Sequence, residues 1–456
     1  MILEILQKIA HILPEVKKPE SPPALKERFI WTGIALVLFF VMYNTMIFGV
    51  SEIGAFNFLN MITAARQGTL LTTGIGPIVL ASIFLQLFVG AKIINLDMKN
   101  PNDKKKFHEA QKTLAIIIAL AEATIFVTSG YVGVSSSLGM VLPILAIIQI
   151  ALGSVILLYM DEIITKYGIG SGISLFIAAG VSFAVIGGLI DLVLFDPQGV
   201  VGKLTEGGAE GIPNAILALL PFIFTIIVFA ACVFAESTKV EIPIAHEHIR
   251  GMVPKIPLNF FYVSNIPVIF ASALLINVRY LSSFVAQMHF SLAGIDIMKV
   301  IAEIFYLISP SWGNTSYNFT LITSGVTPIL GLPEWVHAIV YILFLGVLSI
   351  LFGIFWAETS NMDSKSIAGQ LDSSGMQVPG YRRDPRMLEK VLEKYIFPLT
   401  VVGSFSVGIL AGIADLTGAL GTGTGILLTV GILHKLYQQL KQMKAFELYP
   451  SLGRML

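Results

Sequence analysis

Cysteine is almost absent from this 456-residue chain. The single one, Cys232, lies inside an apolar run, so an internal disulfide and a cysteine metal cluster are both excluded. Charge is scarce too. Asp, Glu, Lys and Arg make up 13% of the residues, about half the usual share. With 55% apolar residues and a strongly positive mean hydropathy, the chain does not fit a soluble globular fold and reads as an integral membrane protein. Its 29 basic and 29 acidic residues cancel. Zero net charge offers nucleic acid no bulk attraction and moves attention to where the charges lie. A cleavable signal peptide is not expected, because the first residues mix Ile and Leu with Glu, Lys and Gln before a Pro-rich stretch at 19–23. Residues 2–13 read instead as an amphipathic surface helix.

The constellations that enzymes need are missing as well. Ala245-His246-Glu247-His248 is not the His-Glu-x-x-His pattern that sets two imidazoles on one helical face around zinc. Gly170-Ser171-Gly172 has no His-acid pair beside it, since His337 and His434 sit near span ends in the other half of the chain. The run Gly421-Thr422-Gly423-Thr424-Gly425 lacks the Lys-Ser/Thr of a phosphate-cradling loop. No catalytic residue, metal site or cofactor is assigned.

What is present is a series of apolar runs near the roughly 20 residues that cross a bilayer. They lie at 30–50, 69–91, 113–133, 140–160, 170–190, 214–235, 257–278, 335–357, 395–414 and 423–440, and predict ten transmembrane helices. The second and fifth are interrupted by Gly or Pro, as expected where helices surround a cavity rather than lipid. With a cytosolic N-terminus, 25 of the 29 basic residues fall inside or at the inner end of a span, leaving Arg66, Lys203, Arg279 and Lys299 outside. The positive-inside rule therefore puts both termini in the cytosol. The expected layout is a cytosolic amphipathic segment (1–28), an N-terminal half with spans 1 to 5 (29–190), an external linker (191–213), a C-terminal half with spans 6 to 10 (214–440) and a cytosolic tail (441–456). Sequons at Asn314 and Asn318 fall on the outer side.

Two short strings recur far apart. Pro77-Ile78-Val79-Leu80-Ala81-Ser82 returns as Pro267-Val268-Ile269-Phe270-Ala271-Ser272, and Gly168-Ile169-Gly170-Ser171-Gly172-Ile173 returns as Gly421-Thr422-Gly423-Thr424-Gly425-Ile426. The second and seventh spans run in opposite directions, as do the fifth and tenth, so the two halves read as an inverted repeat. An in-plane pseudo-twofold axis would bring Val79 opposite Ile269, with Ile173 and residues 426–428 closing the circle. What meets there is aliphatic. Such a ring is either the core of a packed bundle or a seal that excludes ions and water by dewetting and yields around a passing polymer. Glu122 alone reads as a mid-span ionisable residue; it is held by a neighbouring helix, with Asn277 and Gln86 as candidate partners, or it couples an ion.

Six further stretches, in order, carry a resemblance. They are Gly74-Ile75-Gly76-Pro77-Ile78-Val79, Asp161-Glu162-Ile163 leading into Lys166-Tyr167-Gly168-Ile169-Gly170-Ser171-Gly172, Val240-Glu241-Ile242-Pro243-Ile244, Ser264-Asn265-Ile266-Pro267-Val268-Ile269, Phe355-Trp356-Ala357-Glu358-Thr359 and the second Gly-rich string. Over about residues 29–440 the chain resembles the SecY-type protein-conducting channel, the large subunit of the Sec translocon, of the archaeal/eukaryotic branch. The resemblance implies an all-α integral membrane fold of ten helices in two inverted-repeat halves around a central pore. It implies a pore ring of Ile75, Val79, Ile173, Ile177, Ile269 and Leu428. An outer plug at about 57–68 would include Asn57, Phe58, Leu59, Met61, Ile62 and Arg66, although Arg66 also reads as a plain loop charge. A lateral gate between spans 2 and 3 and spans 7 and 8 would carry Glu122 and Asn277; at Leu80 similar proteins have a hydroxyl residue, a departure that alters the gate's hydrogen bonding.

Cytosolic loops at about 236–256 and 358–394 would dock on ribosomal RNA through Arg250, Lys255, Arg382 and Arg383, whose charges the positive-inside rule alone also explains. The implied partners are the small SecE/gamma and beta subunits, the ribosome, signal sequences, nascent chains and membrane lipid, with the chain multi-pass in the plasma membrane. The implied activity passes unfolded secretory chains across the membrane and releases apolar segments sideways into lipid. A secondary transporter of the inverted-repeat kind, and an insertase or scaffold without a continuous pore, are the alternatives.

Overall fold

The structure is a computed structural model that describes residues 13–21, 23–50, 64–90, 93–94, 96, 98, 100–135, 139–197, 199–205, 211–243, 245–246, 255–263, 265–286, 291–292, 295–310, 315–328, 331–373, 376–377 and 385–448. Ten of its helices follow the ten apolar runs. The first half holds α1 (Leu25–Asn44), α2 (Gly76–Gly90), α3 (Pro101–Thr128), α4 (Val141–Tyr167) and α5 (Gly172–Ile190). The second holds α6 (Leu220–Ser237), α7 (Ile266–Val285), the short helices α8 (Ile297–Leu307) and α9 (Thr315–Ser324), α10 (Glu334–Thr359), the short helix α11 (Ser364–Ser373), α12 (Pro385–Leu416) and α13 (Gly423–Leu448). Six helical segments among the described residues are long and apolar enough to cross a membrane by themselves.

Local sequence explains several ends. Asn100 caps α3 by accepting from the Asn102 amide at 3.0 Å, with Pro101 in the first turn. Pro221 restarts the sixth span after a turn at Leu219, so a short helix, Gly211–Ala218, precedes α6. Two expected spans begin later than their apolar runs. Residues 69 and 71–75 are buried and Leu70 is half-buried, but none is helical: the Leu70 amide donates to Thr45 O and the Ile47 amide to Gly68 O, a course that Gly74, at φ +55°, and Pro77 favour over helix. Residues 257–259 pair as a strand, β2 (Lys255–Asn259), with β1 (Lys239–Pro243), and α7 starts only at Ile266. The 15 residues of α2 reach about 22 Å at 1.5 Å per residue, short of the roughly 30 Å hydrocarbon layer. α2 and the apolar part of α7 (Ile266–Arg279) are the two shorter apolar helices, and they carry the first of the repeated strings. Short helices at matching places in two halves are the mark of a central site.

In lipid the hydrophobic effect does not drive helices together, so close approach of small residues must do so. α10 and α12 show this: a Cβ on Gly408 would lie 2.7 Å from the Gly346 Cα, one on Gly353 would lie 2.1 Å from Ser404 Oγ, and one on Gly412 would meet Ile342. In the first half, Gly153 of α4 leaves room for the Leu70 carbonyl, 1.9 Å from where its Cβ would be, and the neighbouring Ser154 hydroxyl meets Thr73 Oγ1 at 2.5 Å. Phe39 of α1 stacks on Phe176 of α5 at 5.2 Å. Outward, Ile144, Ile148, Leu152 and Ile156 form an exposed apolar stripe on α4, and Ile339, Leu343, Val347 and Leu351 form one on α10, surfaces suited to lipid and not to water. The halves meet along two seams, α5 with α13 and α2 with α7 and α10.

Substituting Gly153 by Ala is expected to push the segment before α2 out of place and to cost about 1–3 kcal/mol, the usual penalty of overpacking. A thermal melt of the purified protein in detergent should show the loss. Gly33→Ala, which meets nothing within 4 Å, is the comparison that should leave the midpoint unchanged.

Candidate functional site

Both seams are edged by the same kind of side chain. Ile75, Val79, Ile177, Ile269 and Leu428 are buried, Ile173 is half-buried, and all belong to one apolar cluster that runs through both halves. Each lies beside a helix N-terminus. Ile75 immediately precedes α2 and Val79 follows within its first turn; Ile173 and Ile177 are in the first two turns of α5, Ile269 in the first turn of α7 and Leu428 in the second turn of α13. Nothing in this set is charged, so it offers a passing molecule neither a hydrogen bond nor a counter-ion.

The N-termini of α5 and α13 are held in the same way. The Ile173 amide donates to Asp161 Oδ1 at 2.9 Å, and Asp161 comes from the end of the preceding helix, α4. Ser171 Oγ lies 3.5 Å from the same oxygen. In the other half, the Thr424 amide donates to Asp415 Oδ1 at 2.7 Å, and the hydroxyls of Thr424 and Tyr341 donate to Oδ2 at 2.5 and 2.8 Å. Asp415 likewise comes from the end of the preceding helix, α12. Glycines allow both approaches: a Cβ on Gly172 would lie 2.5 Å from the Asp161 Cα, and one on Gly423 would lie 2.1 Å from the Ala414 carbonyl carbon. The sequence reading placed Glu122 alone inside a span, because its fourth and ninth spans stopped one residue short of each aspartate. The helices run on through Asp161 and Asp415, and the two Gly-rich strings that follow were the signal.

The start of α7 is pinned differently. Asn265 Nδ2 donates to Leu427 O at 3.1 Å, next to Leu428, and a Cβ on Gly431 would lie 1.8 Å from that nitrogen. One side-chain amide thus joins α7 to α13 at the level of the apolar set.

At the other seam, α2 packs on α3, α7 and α10, and Phe355 of α10 fills the space beside Gly90. Glu122 of α3 is buried against Gly76, whose Cβ would lie 3.4 Å from Oε2, and its Oε1 has no partner. The expected hydrogen bonds to Asn277 and Gln86 are not formed. Asn277 donates to Ala273 O of its own helix at 2.9 Å, and Gln86 donates to Ser82 Oγ at 3.1 Å while its Oε1 is left without a partner. Leu80, also buried, brings no hydroxyl to this seam.

Of the outer plug, Asn57, Phe58, Leu59, Met61 and Ile62 lie outside the described residues. Arg66 is described: its Nη1 donates to Asn44 Oδ1 at 2.5 Å and its guanidinium lies 5.7 Å from the Tyr43 ring centre, both at the outer end of α1. Arg250, Arg382, Arg383 and Asn314 also lie outside the described residues, while Lys255 begins β2. The loops at about 236–256 and 358–394 are joined, since Ala245–His246 pairs with Met376–Gln377. Asn318 is not an available sequon: its side chain is buried and donates to Asp415 O and Leu416 O at 3.4 and 3.2 Å. His337 does have an acidic neighbour, Glu334, at 2.5 Å, but the pair is buried far along the chain from the Gly-Ser-Gly turn and is closed off by Tyr306 and Ser309 O.

These features agree with what comparison finds. The family model for SecY matches residues 69–437. The chain is 43% identical over 458 residues to the protein translocase subunit SecY of Methanocaldococcus jannaschii, across 100% of this chain and 99% of that protein. Among solved structures it is similar to a protein-conducting channel, with a TM-score of 0.81 and 42% identity over 97% of this chain and 98% of that one. It is similar also to Sec61 in the canine ribosome-channel complex from the endoplasmic reticulum, with a TM-score of 0.78 and 42% identity over the same shares. Matched along nearly its whole length by sequence and by fold, the chain belongs to the SecY family.

Proposed function

We propose that the six aliphatic residues at the meeting of the halves are the constriction of a protein-conducting channel, and that the four helix starts beside them are its wall. The observation that carries this is the placement of Ile75, Val79, Ile173, Ile177, Ile269 and Leu428 at the starts of four helices drawn equally from the two halves, in one uncharged cluster. The chain is a channel subunit that translocates unfolded secretory polypeptides and releases transmembrane segments into lipid; it is not an enzyme. A ring without charge or hydrogen-bonding groups seals by dewetting and binds no passing side chain tightly, so it accepts polypeptides of any sequence. Membership of the SecY family sets aside the transporter and scaffold alternatives.

The seam of α2 and α3 with α7 and α10 is the lateral gate, with Glu122 and Asn277 at it. Opening it is eased by the partnerless oxygens of Glu122 and Gln86, since a buried polar atom without a hydrogen bond costs about 1–3 kcal/mol in the closed state. The segment at 57–68 is the plug, and Arg66 anchors its inner end to α1. The loops carrying Arg250, Lys255, Arg382 and Arg383 dock on the ribosome, a reading supported by the strand pairing that makes them one unit and by the similarity to Sec61 in a ribosome-channel complex. The small SecE/gamma and beta subunits complete the assembly. The protein is multi-pass; the charge distribution favours cytosolic termini, and the membrane is the plasma membrane. The expected division into segments 1–28, 29–190, 191–213, 214–440 and 441–456 follows the two halves.

A photoreactive group at Val79 or Ile269 should crosslink to successive positions of a stalled, ribosome-attached secretory chain in reconstituted membranes. Intact targeting without adducts would sink the channel reading. Replacing Val79, Ile177 and Ile269 together by Gly should raise idle ion leakage by at least roughly tenfold while translocation continues, because widening a dewetted constriction lets water in. A halide-sensitive dye inside proteoliposomes reads this directly, and an unchanged leak would show that the seal lies elsewhere.

A further inference from the structure

We infer that Asp161 and Asp415 are equivalent positioning residues, one in each half, which keep the channel shut when idle by holding the starts of α5 and α13. The inference rests on the channel reading. Each aspartate comes from the last two turns of a helix, reaches across a Gly-rich turn and accepts the amide of the next helix's first residues, at 2.9 Å for Ile173 and 2.7 Å for Thr424. The residues so held belong to the constriction or lie one turn from it. Ile173 is itself capped, Ile177 is one turn further on, and Leu428 lies one turn beyond Thr424.

The geometry is demanding. Gly172 and Gly423 approach the preceding helix so closely that no side chain fits at either place, and Thr422 sits in the left-handed region at φ +61°, with its hydroxyl accepting the Gly425 amide at 2.9 Å. A helix start exposes amides that need a partner, so loss of the cap frees the helix to tilt or unwind. The second cap is tied into the core of its own half, since Asp415 also holds the buried Tyr341 of α10, while the Asp415 and Leu416 carbonyls accept from Asn318. The first is nearer the surface: Asp161 is half-buried and is joined only to its own turn. The two caps therefore differ in strength, and the Asp415 side is the firmer.

The test uses the complete complex with its small subunits, reconstituted into proteoliposomes, and compares Asp161→Ala, Asp415→Ala, Asp161→Asn and Asp415→Asn. Three quantities are read: idle halide leakage, translocation of a secretory chain and the melting midpoint. Each Ala variant is expected to leak roughly tenfold more than the parent, the shift that losing one helix cap produces, with translocation retained. The Asn variants should recover most of the seal at Asp161, where the amide oxygen can still accept from Ile173. Recovery should be smaller at Asp415, where an amide NH2 cannot accept the Tyr341 and Thr424 hydroxyls. Ser349→Ala, which removes a buried hydroxyl bonded to Leu345 O, controls for general loosening. Silent Ala variants in a complex that translocates would overturn the inference alone, as would equal leakage from Ser349→Ala at a matched melting shift. A parent complex that translocates nothing overturns the channel reading and the inference with it. Should Asp415→Ala fail to assemble, Tyr341→Phe removes one of the three donors to Asp415 and should leak more than the parent; no increase would count against the cap.

Discussion

The first amides of a helix must find partners, and within a membrane the protein itself has to supply them; the rest of this structure is arranged around that requirement. Four helix starts carry the aliphatic residues where the halves meet, although α5 and α13 run antiparallel and their starts lie at opposite ends of the shared seam. Two are capped by aspartates of the preceding helices, and a third, α7, is tied through Asn265 to the backbone of α13. Because polar groups are spent on the neighbouring backbone, the set where the halves meet can be wholly aliphatic.

The same economy shapes the packing. Glycines at 153, 172, 346, 408 and 423 let backbones approach to distances that exclude a side chain, and in lipid such contact replaces the hydrophobic drive of a soluble core. The seam between α2 and the second half is looser in chemistry. It leaves oxygens of Glu122 and Gln86 without partners, whereas the α5 and α13 side is anchored by caps.

Much of this was legible from the residues. The apolar runs located all ten spans because about 20 residues of hydrocarbon are hard to disguise, and the recurring Pro and Gly strings marked the inverted repeat. The misreadings share a cause. Hydropathy measures how apolar a stretch is, not where its backbone turns helical, so residues 69–75 and 257–259 looked like span while the chain there is coil and strand. It likewise cut the fourth and ninth spans before Asp161 and Asp415, treating a buried cap as the first loop residue. Glu122 stood out for the opposite reason, being charged amid apolar neighbours on its own helix. Which groups it touches depends on α2, and no one-dimensional pattern tells that it faces Gly76 rather than Asn277. The constriction residues required the resemblance as well as the repeats, since an isoleucine facing a pore and one facing a core are the same letter.

Beside the end of α4, Lys112 of α3 and Lys166 of α4 share Glu162, at 3.0 and 2.7 Å, and then reach the N-terminal segment. Lys112 donates to Pro14 O at 2.7 Å, Lys166 to Val16 O, and the Tyr167 hydroxyl to Lys17 O at 2.9 Å. Three of the groups grasped are peptide carbonyls, which each residue has whatever its side chain, and the fourth is the Glu15 carboxylate, 3.8 Å from Lys166 Nζ. The clasp thus reads mainly the course of the segment. Over evolutionary time residues 14, 16 and 17 can therefore drift in sequence, provided their number and path are kept; an insertion there would be felt where a substitution would not.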